Sequence, residues 1–344
     1  MSSQRITIRD VAKAAGVSTT SVSFVLNNSG HVSPETRLRI LEAVEQLGYV
    51  PDRRARSLKS KRIQVLGLLF TYSEESLASS RYFRDITASI CSNASNHDYK
   101  VMVSLLSRQR SLAQQVQAFR QDGTIGGLIV AGPSPEQVET IASNFQDFPT
   151  LILSAVCSHP RINCIDVDNR NGMLQAIEHL FRLGHRHIAY VTPQGTDSHS
   201  IERLESYQSA MAAFRLIDEV QLCILPPEGD GTDPLSQLVL DDITAIIAFD
   251  DLRALLVRSF LDRQGVRVPE DMALIGFDDE DFGVHMDPPL TTVAQPFTEM
   301  GRLATETLIE RIENPALPPI HVTSPLTLIV RQSCGARFRS EVQG

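Results

Sequence analysis

Ile6-Thr-Ile-Arg-Asp-Val-Ala-Lys-Ala-Ala-Gly-Val-Ser-Thr-Thr-Ser-Val-Ser-Phe-Val-Leu-Asn27 spells two short helices joined by a tight turn. Thr7 is placed to cap the first helix, and Asp10, three residues on, answers it as a capping-box partner. Val11, Ala12 and Ala15 give that helix a small apolar face, and Gly16 ends it. Ser18 caps the second helix, in which Val22, Val25 and Leu26 fall at the spacing of a buried stripe. Thr19, Thr20, Ser23 and Phe24 project from its other side. Short polar side chains at the start of an exposed second helix suit insertion into a DNA major groove, so the stretch reads as a helix-turn-helix.

Outward from there, Ser33-Pro-Glu-Thr announces a third helix, with Ser33 as cap and Pro34 in the first turn, where its missing N–H costs nothing. Leu41, Val44 and Leu47 form the face expected to pack under the first two helices, and Gly48 stops the run. The segment Pro51-Asp-Arg-Arg-Ala-Arg-Ser-Leu-Lys-Ser-Lys-Arg62 is basic and poor in apolar residues; taken alone it reads as a solvated linker. Charge is divided unevenly. Residues 1–62 hold eleven Lys or Arg against five Asp or Glu, a net of +6, so the remaining 282 residues carry −15 of the overall −9. The basic part suits phosphate and the acidic part does not, which predicts strongly salt-dependent DNA affinity through the N-terminal block.

At 344 residues, with 42% hydrophobic and 21% charged side chains, the chain has ample material for a core. No apolar run approaches the length of a membrane span and no secretory signal precedes the first helix, so no membrane association and a cytoplasmic location are expected. Cys91, Cys157, Cys164, Cys223 and Cys334 are odd in number, scattered and without Cys-x-x-Cys spacing, and imply neither a disulfide framework nor a zinc site. Asp278-Asp-Glu-Asp281 lacks the alternating ligands of a calcium loop. Neither a Gly-x-x-x-x-Gly-Lys phosphate loop nor a Gly-x-Ser-x-Gly elbow occurs. No metal, cofactor or catalytic residue is expected, and the chain is not read as an enzyme.

After Arg62 the pattern alternates between strands and helices. Strands are expected over Ile63–Phe70, Lys100–Leu106, Gly127–Ala131, Thr150–Ser154, Cys164–Asp168, His187–Val191, Cys223–Leu225, Ala245–Phe249 and Ala273–Phe277. Helices are expected over Tyr82–His97, Ser111–Asp122, Val138–Phe145, Asn171–Leu183, Ile201–Arg215, Pro234–Val239 and Leu252–Gln264. Such alternation implies parallel sheets, here in two similar α/β lobes, the second opening at Cys164. Ligands of open α/β sheets sit beyond the carboxyl ends of the strands, where Asp250, Asp251 and Asp278 fall, with Arg203 opening a helix after the Val191–Ser200 loop.

The chain resembles the LacI/GalR (lactose-repressor/galactose-repressor) family from Thr7 to about Gln332. The resemblance is carried by Thr7-x-x-Asp10-Val-Ala-x-x-Ala15-Gly-Val-Ser18, Val22-Ser-x-Val-Leu-Asn27, Val32-Ser-x-x-Thr36 and Leu47-Gly-Tyr-x-Pro51. It implies a helix-turn-helix domain (1–50), a hinge helix (51–62) and a periplasmic-binding-protein-like effector and dimerisation core (63–344). The lobes would comprise 63–162 with 293–324, and 163–292 with 325–340, the chain crossing near Ile162, Val293 and Pro325. The hinge would fold on operator DNA, with Leu58 as the minor-groove wedge and Ala55 and Lys59 beside it, overriding the linker reading. Thr7, Ser18, Thr19, Thr20, Ser23, Phe24, Asn27 and His31 complete the DNA-binding set. Phe24 stands where many relatives carry Arg; it either rests against a thymine methyl or folds back onto the domain core.

For the effector, the resemblance points to Arg203, four residues before Tyr207; to Asp278 of a Gly-Phe-Asp-Asp segment; and to the aromatic pair Tyr82-Phe83. Asp250 stands where sugar-responsive relatives commonly have Asn, and Ser154-Ala155 where many have Asp-Arg. Arg203 and Asp278 are expected to face each other across the cleft, as ligand groups or alternatively as an ordinary interlobe salt bridge, and the added charges of Asp250 and Arg81 to suit a polyol, amino sugar or charged metabolite. Zero Trp excludes an indole platform. Gly184-His-Arg-His187 reads as a structural turn. The expectation is a transcriptional regulator, a repressor, acting as a homodimer on a near-palindromic operator under control of a sugar or related metabolite. The tail after Gln332 lacks leucine heptads, so no tetramerising helix is expected. The alternative is a solute-binding sensor with no action on DNA, against which the +6 block speaks.

Overall fold

The computed structural model describes residues 6–26, 32–47, 63–72, 80–107, 109–145, 147–157, 159–195, 197–225, 235 and 238–336. The chain divides into two compact units, 1–62 and 63–344.

The first unit is built from α1 (Ile8–Ala15), α2 (Thr19–Leu26) and α3 (Pro34–Leu47). Thr7 closes the capping box with Asp10: its backbone N–H donates to Asp10 Oδ2 at 2.8 Å and its hydroxyl at 2.7 Å. Gly16 takes the left-handed φ of 64° that ends α1, with Val17 N donating back to Ala12 O at 3.0 Å. Ser18 Oγ accepts from Ser21 N at 3.1 Å and Ser33 Oγ from Thr36 N at 3.3 Å, so each later helix starts on a serine. The core is Val11, Ala12, Ala15, Val22, Val25, Ile40 and Ala43, with Leu26, Val44 and Leu47 packed at its edge. The expected α3 face needs correction: Leu41 is 46% exposed, and Ile40 takes the central place. In a 14-residue helix both faces carry aliphatic residues, and the phase of the buried stripe is set by the partners above it.

The second unit contains two six-stranded sheets. The first has the order β11-β5-β4-β3-β1-β2, formed by β1 (Val65–Phe70), β2 (Lys100–Leu105), β3 (Gly127–Ala131), β4 (Thr150–Leu153), β5 (Asn163–Val167) and β11 (His321–Ser324). The second has the order β12-β10-β9-β8-β6-β7, formed by β6 (Ile188–Pro193), β7 (Gln221–Leu225), β8 (Ala245–Ala248), β9 (Ala273–Asp278), β10 (Thr291–Ala294) and β12 (Thr327–Ile329). All pairings are parallel except β10 with β12. The helices are α4 (Arg81–Asn96), α5 (Leu112–Gln121), α6 (Pro135–Asn144), α7 (Asn169–Arg182), α8 (Ser198–Ala213), α9 (Asp251–Arg263) and α10 (Phe297–Glu313).

Both faces of each sheet are covered, which is why the strands read as continuous apolar runs. On β3, Ile129 and Ala131 face the cluster containing Ile86 and Ile90 of α4 and Ala304 and Leu308 of α10. Leu128 and Val130 face Val116 of α5 and Ile141 of α6. In the second sheet Ile246 and Ala248 of β8 pack on Ala254, Val257 and Leu261 of α9.

One boundary is corrected. β5 pairs with β4, through Ile152 and Cys164, and with β11, so Cys164–Val167 closes the first lobe and does not open the second. The chain therefore first crosses after Val167, returns between Ala294 and Phe297, and crosses again between Ser324 and Thr327. Of the expected helix 234–239 only Leu235, Leu238 and Val239 are described, and none of the three is helical; the rest of it, like residues 51–62, lies outside the described residues.

Candidate functional site

On the N-terminal unit, Thr19, Thr20 and Phe24 lie exposed along α2, while Val22 and Val25 are buried on its opposite side. Phe24 is 39% exposed and takes no part in the domain core, so its ring has not folded back. Ser23 is half-buried. Thr7 and Ser18 are exposed caps at the starts of α1 and α2, where helix N–H groups favour an anion. Asn27, His31, Ala55, Leu58 and Lys59 lie outside the described residues.

In the second unit the carboxyl ends of both sheets converge. Tyr72 follows β1, Ser154 follows β4 and Asp166 lies near the end of β5; from the other lobe come Asp197, His199 and Arg203 after β6, Asp250 after β8 and Asp278 at the end of β9. Direct contacts span the two lobes. Ser198 Oγ donates to Pro133 O at 3.2 Å, and His199 Nε2 meets Asp166 Oδ1 at 3.1 Å between side chains only about a tenth exposed. At the opposite side Arg81 N donates to Glu280 at 2.6 Å, the Arg81 guanidinium bonds Asp279, and Arg84 pairs with Asp281 at 2.8 Å.

Arg203 is 2% exposed. Its Nε donates to Asn169 Oδ1 at 2.9 Å, Nη1 to the Phe249 carbonyl at 2.6 Å and Nη2 to Asp278 Oδ1 at 3.2 Å. The guanidinium lies 3.8 Å from the Phe277 ring centroid and 4.8 Å from that of Phe249. Arg203 and Asp278 thus touch, but within one lobe and not across the cleft, which corrects the expected arrangement. Both follow strands of the same sheet. Asp278 also accepts from Gln295 at 2.5 Å.

Asp250 caps α9, accepting from Arg253 N at 2.8 Å, and pairs with the Arg253 guanidinium. Burial raises its pKa, with Arg253 working against that. Arg81 is likewise committed, to Asp85 at 2.9 Å and to Asp279. Neither charge is left over for a ligand. Asp251, fully buried, accepts from Thr292 Oγ1 at 2.6 Å and Glu280 N at 2.7 Å, which fixes the 278–281 loop on β10. Gly276 allows this, since a Cβ there would stand 2.0 Å from the Asp251 carboxylate.

Hydroxyls predominate among the uncommitted polar atoms. Among the described residues, the Tyr82, Thr87, Ser154 and Tyr190 hydroxyl oxygens are buried without a hydrogen-bond partner, and so is Nε of Arg253, whose Nη1 pairs with Asp250. Burial raises the pKa of Tyr72, Tyr82 and Tyr190, so all three remain protonated at neutral pH. Tyr82 sets its ring edge to face against Tyr72 at 5.9 Å and Phe297 at 5.5 Å, whereas Phe83 turns to Phe70 at 4.8 Å. Gly132, at φ 69°, lets the Tyr72 ring lie against its backbone. Ser154 and Asp278 hold positive φ, 59° and 96°, a strained backbone at strand ends facing the cleft.

Sequence reasoning missed Asn169, Gln295, Tyr72, Tyr190 and the His199–Asp166 pair. Asp166 carried a signal: a carboxylate inside an otherwise apolar buried strand requires a partner. Tyr72, two residues past a strand end, was open to the same rule that found Asp250. The turn 184–187 is structural as expected, with His185 N donating to Leu180 O at 3.0 Å. Among the described residues no group of His, Cys, Asp and Glu could hold a metal ion, and no helix is long and apolar enough to cross a membrane.

Comparison with known proteins bears on both units. Residues 7–52 match bacterial regulatory proteins of the lacI family, and residues 177–334 match a periplasmic binding protein-like domain. The HTH-type transcriptional repressor PurR of Aliivibrio fischeri (strain MJ11) is 32% identical over 325 residues, covering 90% of this chain and 92% of that one; the PurR of Vibrio cholerae (strain M66-2) is 30% identical over 319 residues, covering 90% and 92%. Among solved structures, the lac repressor dimer bound to operator and the anti-inducer ONPF superposes with TM-score 0.78 at 25% identity, covering 96% of this chain and 99% of that one. The CelR–cellobiose complex gives 0.68 at 27%, covering 96% and 100%. The chain belongs to the LacI/GalR family: it is a DNA-binding transcriptional regulator, not an enzyme, with a helix-turn-helix domain followed by a two-lobed periplasmic-binding-protein-like effector domain.

Proposed function

We propose that the protein is a homodimeric repressor of a near-palindromic operator, controlled by an uncharged, polyhydroxylated or ring-shaped metabolite of the sugar class held between the lobes. The observation that carries the ligand reading is the division of labour in the cleft. Arg203, Asp278, Asp250 and Arg81 are engaged by protein partners, while the Tyr82, Ser154 and Tyr190 hydroxyls are buried without one. A buried hydroxyl gains most from a neutral hydrogen-bonding ligand, and the one guanidinium with an unpartnered N–H among these groups, Arg253, already has its charge paired with Asp250. Arg203 and Asp278 then act as the rigid wall beneath the ligand, Tyr82 as the aromatic contact from the other lobe, and Phe83 as its support.

Thr19, Thr20, Ser23 and Phe24 would read the major groove, Thr7 and Ser18 would meet phosphate, and Asn27, His31, Ala55, Leu58 and Lys59 keep the roles that the family resemblance gives them. An exposed apolar face on α9, formed by Leu252, Leu255 and Leu256 with Val284 nearby in sequence to the 278–281 loop, supports a symmetric dimer. The lac repressor solved as a dimer on operator is consistent with that assembly. Ligand would bias the relative placement of the lobes, and through it operator affinity, by population shift.

A thermal-shift screen of the full chain against neutral sugars, polyols, nucleobases and charged metabolites tests the ligand class, since a molecule bound only by the native state raises the melting point by mass action. A neutral hydroxylated compound should raise it, and Tyr82→Phe should reduce the shift. A response confined to anionic or cationic metabolites would contradict the reading.

A further inference from the structure

We propose that Cys157 and Cys164 are an oxidisable dithiol, closed to an intramolecular disulfide by a hydroperoxide entering the cavity that both thiols line. The inference stands apart from the ligand reading. Ile152 of β4 pairs with Cys164 of β5, and the chain leaving β4 turns at Ser154 so that the Ala155 carbonyl accepts from Cys164 Sγ at 3.1 Å. Cys157 follows two residues after Ala155, on the same side of β5 as the carbonyl that holds Cys164 and on the wall of the same cavity. Both thiols border a cavity of about 160 Å³ that is also lined by Val156, Asp166, Glu202 and His321. That volume is several times the share of one water molecule, enough for a small peroxide.

The two sulfurs differ in the way a nucleophile and a resolving thiol must. The neighbouring Cys164 side chain, aided by the His159 backbone and the His321 ring and opposed by burial, lowers the Cys157 thiol to about 6. Its partnership with Cys157 and burial push Cys164 up. Cys157 is therefore the thiolate and Cys164 keeps its proton. Cys157 Sγ attacks one peroxide oxygen, the O–O bond breaks, and the departing alkoxide or hydroxide takes up the proton that Cys157 released. The resulting sulfenic acid is attacked by Cys164 Sγ; the S–S bond forms, and its hydroxyl leaves with the Cys164 proton as water. Two thiols are oxidised, and one hydroperoxide is reduced to an alcohol (water, for hydrogen peroxide) and water. The remaining cysteines lack this arrangement: the Cys91 and Cys223 thiols are pushed up by burial.

The bond would form beside the chain's first crossing between lobes. Asp166, two residues after Cys164, holds His199 across the cleft, and Asp168 caps α7 by accepting from Asn171 N at 2.8 Å.

The test uses the reduced full chain, one equivalent of hydrogen peroxide, a catalase quench, alkylation under denaturing conditions and tryptic mapping. Arg161 lies between the two cysteines, so trypsin separates them unless they are bonded. The expected result is a linked pair of peptides carrying Cys157 and Cys164, lighter by two hydrogens, with Cys91, Cys223 and Cys334 still alkylated. Cys164→Ala should leave a Cys157 sulfenic acid that dimedone traps; if that variant fails to fold, the map of the unmodified chain decides alone. Full alkylation of Cys157 and Cys164 after peroxide, overoxidation of Cys157 without a link, or first oxidation at Cys91 would each overturn the proposal.

Discussion

Replacing Arg203 by Met removes a guanidinium held between the Phe277 and Phe249 rings and bonded to Asn169, the Phe249 carbonyl and Asp278. Methionine keeps much of the volume, so the loss is polar. It strands three acceptors. Breaking a buried ion pair by deleting one partner costs about 3–5 kcal/mol. Asp278 retains one-fifth of its exposure and a bond from Gln295, and water recovers part of the loss, so the lower end, about 3 kcal/mol, is expected for Arg203→Met. Asp278→Asn keeps an oxygen acceptor and buries no stranded carboxylate; it should cost about 1–2 kcal/mol. Combining the two should cost less than their sum, because the stranded charge is gone. Urea unfolding followed by tyrosine fluorescence measures this on the full chain, since five of the six tyrosines (Tyr72, Tyr82, Tyr99, Tyr190 and Tyr207) belong to residues 63–344. An Arg203→Met midpoint equal to that of the unmodified protein, or strict additivity of the pair, would refute the assignment of Arg203 to the scaffold.

Gly132→Ala should displace Tyr72, because a Cβ would lie 2.2 Å from two of its ring carbons; Gly265→Ala has a similar φ of 73° but meets nothing within 4 Å. The second should cost only the left-handed backbone penalty, about 1 kcal/mol, and the first clearly more, as thermal melts of both variants would show. At His199, burial opposes the charged form, but the hydrogen bond and charge of Asp166 outweigh it and the pKa is raised; Asp197 adds to this, Arg203 opposes, and Glu202 lies nearby. A raised histidine stabilises fully below its ordinary pKa of about 6.5 and loses that contribution as pH climbs through the folded value. Stability should therefore fall as pH rises above about 6.5, and His199→Gln should flatten that segment of the curve; a variant with the same slope would exclude His199 as its source. Phe24→Arg, on the exposed face of α2, should change the base preferred at one position of each half-site in selection from random duplexes, as an arginine fork favours guanine. An unchanged consensus would remove Phe24 from the readout.

The helical domain was legible because its signals are local. Thr7 with Asp10, Gly16, Ser18 and Ser33 each do in the structure what their sequence neighbours dictate. Six helices of the α/β unit were placed correctly in kind but up to three residues late at α6, α7 and α8, since apolar periodicity begins inside the first turn while Ser134, Asp168 and Asp197 set its start; α10 went unread, and the helix expected over 234–239 is not helical at its described residues. Asp250 shows why site reading was harder. A carboxylate just after a strand suits a helix cap as well as a ligand, and only the position of Arg253 decides between them. β5 was assigned to the wrong lobe because strand pairing depends on contacts far apart in sequence, here with β11 more than 150 residues away. Tyr82 and Ser154 were marked only by the family resemblance and Tyr190 not at all, for what distinguishes their hydroxyls is the absence of a partner in three dimensions.

The central claim is that one chain couples ligand in the cleft to DNA at the helix-turn-helix, and anisotropy titration of a selected near-palindromic duplex tests it directly. With and without a ligand shown by thermal shift to bind, operator affinity should change about 5–150-fold, the range that a coupling of about 1–3 kcal/mol produces. An affinity that stays constant while the cleft is demonstrably occupied would contradict it.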